Sequence, residues 1–245
     1  MEILYDFVEL ESEESFRNLG KAFDASFTQN ALIFDNSHAK GEIVKACPEA
    51  GLCVRKWKLT VMDKITLQRN AAPESHEKKF SLIYFLNPSI FNIKGNSRIK
   101  FGNRQSNLLL SNKLPMQFNV LPDKPFFVLD ITFTSAWLIG QFSDGEIGFR
   151  QLLESYLDHY TSRVSIRPCQ AQECKVLQEL EQSMQPLQQE TLFIRSKIYT
   201  LVWSFFNDVL KTNTDRPKQM SIHYDQMVQV ETILSQEFET RPKID

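Results

Sequence analysis

The sequence predicts an α+β protein: an antiparallel β-barrel or sandwich in the N-terminal half, then a run of helices. Three observations predict it. Nine short runs rich in β-branched and aromatic residues lie between residues 31 and 133. Turn-forming clusters such as DNSHAKG, NAAPESHE, KGNS and LPDKP separate them. After Phe133 the apolar spacing lengthens from two residues to between three and four. Parallel strands would need long crossovers, and the intervals between the runs are too short to hold them.

The opening SFRNLGKAF places Phe16, Leu19 and Phe23 along one face of a short helix. The strand runs are ALIFD, GEIVKACP, LCVRKWKLTVM, KITLQR, KFSLIYFL, SRIKF, SNLLLS, MQFNVL and PFFVLDITF. Alternation in LCVRKWKLTVM sets Cys53, Arg55, Trp57, Leu59 and Val61 on one face and Lys56, Lys58 and Thr60 on the other. The lysine face is the natural outside, so Arg55 points inward beside Trp57. A guanidinium there anchors an anionic or polar ligand, pairs internally with a residue such as Asp130, or is twisted to the rim. KFSLIYFL is apolar on both faces, with Phe80, Leu82 and Tyr84 opposite Ser81, Ile83 and Phe85; which face lines the interior is left open. Met116, Phe118 and Val120 form a one-sided set. The candidate ligand pocket is Arg55 with Trp57, Tyr84, Met116 and Phe118, in the usual pattern of an apolar site with one polar handle. Plain core is the alternative reading of its aromatic members.

Past Phe133, SAWLIGQF and GFRQLLESYLDHY read as helices, and residues 170–185 carry Cys174, Leu177, Leu180 and Met184 along one helical face. Residues 187–210 are the strongest element, with Leu187, Ile194, Ile198, Leu201, Phe205 and Val209 stepping by sevens, fours and threes. A stripe that wide packs either within its own chain or, in part, on the same helix of a second subunit. Ile194, Ile198, Leu201 and Phe205 are the candidate dimerisation residues. Pro217 in NTDRPK ends that helix, and a last helix is expected over residues 221–239.

Composition excludes more than it assigns. The 245 residues are 42% hydrophobic and 24% charged with a net charge of −2, an ordinary globular balance. No run approaches the roughly 18 apolar residues of a membrane span, and the acidic N-terminus is not a secretory signal. A cytoplasmic chain with free thiols at Cys47, Cys53, Cys169 and Cys174 is expected. Charge is uneven: residues 1–39 hold 2 Lys+Arg against 8 Asp+Glu, and residues 40–104 hold 13 against 5. The acidic start folds over the basic stretch, the basic stretch faces an anionic ligand, or both are solvated surface. Metal-binding spacings, phosphate loops and nucleophile elbows are missing, so neither a catalytic residue nor a cofactor is expected. Cys47 and Cys53 flank a hairpin, CPEAGLC, and are expected near each other, as an idle pair or as a metal or redox site.

Taken together, the strand-rich part, the helices SRVSIRPCQAQECKVLQELEQSM and LFIRSKIYTLVWSFFNDVL, and the final SIHYDQMVQVETILSQEFETRPKID resemble transcription regulators of the AraC type. The last of these is similar to the first helix of that family's DNA-binding module and the turn after it. The resemblance implies a cupin-like β-barrel sensor over residues 1–135 with an N-terminal arm, and a helical linker and dimerisation region over 136–218. It implies the first helix of a helix-turn-helix module over 219–245, with both recognition helices lying beyond Asp245. The function implied is effector sensing by a homodimer that reaches DNA only through that further module, with a small molecule as effector and no membrane contact. A cupin-fold enzyme and a non-catalytic protein-interaction module are the alternatives.

Overall fold

The computed structural model describes residues 2–86, 90–93, 97–100, 105–142, 147–161, 164–184 and 191–214. Contacts divide the chain into Met1–Trp203 and Ser204–Asp245. Among the described residues every strand lies in the first unit, in two sheets. In the smaller, β1 (Glu2–Phe7) pairs in parallel with β6 (Lys64–Arg69), followed by β11 (Met116–Val120), β8 (Ile90–Ile93) and β9 (Ser97–Lys100). The larger runs β13 (Val164–Pro168), β10 (Ser106–Ser111), β7 (Lys79–Phe85), β12 (Pro125–Thr134), β5 (Leu52–Val61), β4 (Ala39–Glu49), β3 (Ala31–Asp35), β2 (Ser26–Phe27), antiparallel throughout.

All nine strand runs of the sequence form strands. The expected barrel does not close: among the described residues no ladder joins the two sheets, and closure requires every edge to be paired. The architecture is α+β and mostly sheet. Four strands escaped the sequence reading. β1 and β13 are the instructive ones. β1 is broken by Glu2 and Asp6 and takes its place only by pairing with β6. β13 lies inside the segment read as helical and extends the large sheet through β10.

One apolar cluster draws on both sheets, including Ile65, Leu67 and Met116 from the small one and Trp57, Ile83, Phe85, Leu108 and Val128 from the large. Helix α1 (Glu13–Ala22) adds Phe16 and Leu19 to it. Ser12 caps that helix, its hydroxyl accepting from the Ser15 N–H at 3.0 Å. The turn from β4 to β5 needs Gly51, whose φ is +80° and where a Cβ would stand 2.9 Å from the Trp137 Cβ.

Helices α2 (Ser135–Gln141), α3 (Ile147–His159), α4 (Ala171–Ser183) and α5 (Thr191–Thr214) follow near their expected bounds. The last helix, expected over 221–239, lies outside the described residues. Residues of α4 and of the first part of α5 cover the outer face of the large sheet, which overturns one expectation. Lys56 is not on the outside: it is 2% exposed, pairs with Glu42 at 2.9 Å and donates to the Met184 carbonyl. Lys58, next on that face, does reach solvent, beside Glu181. Alternation gave the direction of Lys56 correctly; a second layer then buried it.

Candidate functional site

Between the sheets lies a chamber with a free volume of about 50 Å³, room for a few waters. β5 supplies Arg55 and Trp57, β6 Leu67 and Arg69, β7 Lys79, Ser81, Ile83 and Phe85. β11 adds Phe118, and β12 adds Val128, Asp130 and Thr132. Phe7 at the end of β1 and residues 8–11 of the link from β1 to α1 complete the lining, Glu9 and Glu11 among them.

Arg55, 3% exposed, is held by Asp130 and Thr132: Nε and Nη2 donate to Asp130 Oδ2 at 3.1 and 2.6 Å, and Nη2 to Thr132 Oγ1 at 2.8 Å. The pairing follows from the register, which sets Asp130 opposite Arg55. Burial pulls this guanidinium down, but the carboxylates of Asp130 and Glu11 outweigh it and hold Arg55 above its ordinary value. Arg69 donates through Nη2 to the carbonyls of Ser111 and Leu114 at 2.7 and 3.1 Å. With carbonyls rather than a carboxylate as partners, burial pushes Arg69 down to about 10, so it is still a cation at neutral pH. Lys79 bonds Glu9 at 2.6 Å; burial works against its charge, and Glu9 and Glu11 hold it above its usual value.

Two features distinguish this cluster from a closed structural ion-pair network. Arg55 Nη1, Arg69 Nε and Glu11 Oε2 are buried without a hydrogen-bond partner. Arg55 Nη1 meets Glu11 only at 3.8 Å. Moreover, of the six charged residues lining the chamber, three are cations and three anions, and two of the anions belong to the link over residues 8–11. With that link withdrawn, the remaining wall carries three cations against Asp130.

Of the residues expected at the site, Arg55, Trp57 and Phe118 line the chamber. Tyr84 does not: it lies on the opposite face of β7, where its one hydroxyl proton is shared between Glu173 Oε1 at 3.4 Å and the Leu201 carbonyl at 3.3 Å. The sequence left the inner face of β7 open, and the chamber takes Ser81, Ile83 and Phe85. Met116 is buried in the core cluster and is not among the lining residues. Sequence reasoning missed Arg69, although KITLQR carries the same signal as Arg55, a cation in phase with apolar Ile65 and Leu67. Glu9 and Glu11 had no local signal beyond the acidic balance of the N-terminus.

On α5, Ile194, Ile198, Leu201 and Phe205 are each 0–1% exposed in the single chain, whereas Leu192 is 80% and Trp203 52% exposed. The four cysteines are free thiols. Among the described residues no group of three or more potential ligands converges on a metal site, and no helix is long and apolar enough to cross a membrane.

No protein-family model matches the chain, and no curated protein matches it. Among solved structures, unsaturated-fatty-acid-bound ToxT from Vibrio cholerae is similar at 15% identity and a TM-score of 0.39, over 67% of this chain. This chain spans only 56% of that one, and a likeness at this level carries no function across.

Proposed function

We propose that the chain is the effector-sensing region of an AraC-type transcription regulator, and that the chamber is its receptor site for a small anionic molecule. The observation that carries the receptor reading is the pair of buried guanidinium groups, each with an N–H that has no acceptor, in a chamber whose wall combines apolar side chains with a few charged and polar ones. Glu9 and Glu11 hold the anion positions, and the free volume is too small for an effector beside them. An entering anion therefore displaces the link over residues 8–11, and occupancy shifts a population between two arrangements of that link. The chamber binds and does not catalyse in this reading. The family itself is proposed on the sequence resemblance, with DNA reading assigned to a helix-turn-helix module that starts at residue 219.

Thermal unfolding of the 245-residue chain across a panel of small carboxylates with and without aromatic or aliphatic bodies tests the receptor claim. A ligand at about 100 times its Kd adds about 2.7 kcal/mol, a rise of several degrees in a chain of this size. An unchanged midpoint across the whole panel at millimolar concentration would sink it. A homodimer is part of the same proposal. Ile194, Ile198, Leu201 and Phe205 are buried within one chain, so a two-fold contact on α5 would draw on Leu192 and Trp203, which sedimentation of Trp203→Ala against wild type examines.

A further inference from the structure

Two thiols meet where β4 and β5 run into their turn. The ladder pairs Ala46 with Val54 and then Glu49 with Leu52, so Cys47 and Pro48 together oppose Cys53 in a β-bulge. Pro48, which has no N–H to donate, is tolerated there because a bulge interrupts the ladder. Cys47 is exposed and Cys53 buried, and each thiol shifts the other, Cys47 downward and Cys53 upward. Opposed residues of an antiparallel pair have Cα atoms about 4.5–5.5 Å apart, within the range a disulfide spans.

We propose that Cys47 and Cys53 are a hydroperoxide-oxidisable dithiol, with Cys47 the attacking sulfur and Cys53 the resolving one. The two are electrostatically unlike. The contact with Cys53, together with Lys45 and Arg55, lowers the Cys47 thiol to about 7, against the opposing effects of burial and Glu11. Donation of its S–H to the Cys47 thiolate, together with burial, pushes Cys53 well above the ordinary thiol value. Cys169 and Cys174 are also raised, by burial first and then by Glu173, which leaves Cys47 the thiolate of the chain at neutral pH.

The chemistry balances in two steps. The Cys47 thiolate attacks the terminal peroxide oxygen; an S–O bond forms, the O–O bond breaks, and the leaving hydroxide, or alkoxide from an organic hydroperoxide, takes up a proton as water or alcohol. The sulfur of Cys53 then attacks the Cys47 sulfenic acid. An S–S bond forms, the S–O bond breaks, and the departing oxygen leaves as water with the Cys53 proton. Two thiols are oxidised and one hydroperoxide is reduced. The pair stands between two working parts of the fold. Arg55 of the chamber is two residues from Cys53. Two residues from Cys47, Glu49 accepts from Trp137 Nε1 at 2.7 Å and the Tyr199 hydroxyl at 2.6 Å and pairs with Arg195 at 2.7 Å.

Residues 46–55 form a single tryptic peptide holding both cysteines, since cleavage falls after Lys45 and Arg55. The reduced full chain is treated with equimolar hydrogen peroxide, alkylated and digested. The expected result is a peptide lighter by two hydrogens that resists alkylation until reduced, while Cys169 and Cys174 alkylate fully. Cys53→Ser is expected to accumulate a sulfenic acid on Cys47 that dimedone traps, and Cys47→Ser, altering an exposed side chain, to show neither product. Full alkylation of residues 46–55 after peroxide, oxidation of Cys169 or Cys174 first, or passage of wild-type Cys47 to sulfinic acid without pairing would each overturn the assignment.

Discussion

The two faces of the eight-stranded sheet bury polar groups in different ways. On the outer face, Lys56 reaches the Met184 carbonyl and Glu42 of β4, and Tyr84 reaches Glu173 and the Leu201 carbonyl, while the buried Asn107 opposite Tyr84 makes no side-chain hydrogen bond. On the inner face, Arg55 and Arg69 are equally buried, yet each keeps an N–H with no acceptor, and the carboxylate opposite Arg55 Nη1 comes from a link rather than from a strand. Arg55 and Lys56 are adjacent in sequence, so composition does not separate the two cases. The difference lies in what stands opposite. Buried cations bonded to neighbouring elements, as Lys56 is, glue those elements together; a cluster of buried cations short of acceptors beside a cavity is a place for an anion.

Breaking this comparison starts with Arg55. Arg55→Met leaves Asp130, itself 9% exposed, as a buried carboxylate without its cation, at an expected cost of about 3–5 kcal/mol read from urea unfolding. Adding Asp130→Leu recovers most of that loss; a single variant no less stable than wild type would show that the pair is not desolvated. Lys56→Met on the outer face is expected to cost less, about 1–3 kcal/mol, because Glu42 is 21% exposed and water can replace its partner. An equal or larger loss at Lys56 would reverse the distinction. Tyr84→Phe removes only one long, shared hydrogen bond, about 1 kcal/mol, and leaves anion binding untouched because the ring lies outside the chamber. Glu11→Gln sharpens the inner face: losing the competing charge is expected to tighten a carboxylate by roughly two- to fivefold in titration calorimetry, about 0.5–1 kcal/mol. Smallest of all is a kinetic signature, alkylation of Cys47 half-maximal near pH 7, since only the thiolate reacts and its neighbours lower it to about 7.

Strand and helix identity was legible because each depends on a local period. KITLQR, SNLLLS and PFFVLDITF show their strands from composition and alternation alone, and the N-terminal helix follows from Phe16, Leu19 and Phe23. β1 was illegible because its pairing partner, β6, is some sixty residues away. At the site, Arg55 was visible as a cation in phase with apolar neighbours and Arg69 showed the same mark, whereas Tyr84 turned on which face of β7 the helices would cover.

The chain's own residues settled the order of its elements, the inward direction of Arg55 and Trp57, and the acidic start set against a basic middle. These are short-range or compositional properties, carried by backbone geometry and side-chain alternation. Tertiary structure alone decided that the sheets stay open, that Lys56 is covered, and that Glu9 and Glu11 enter the chamber. Each of those outcomes depends on which distant segment arrives opposite, and a contact between remote segments leaves no trace in the spacing of either one.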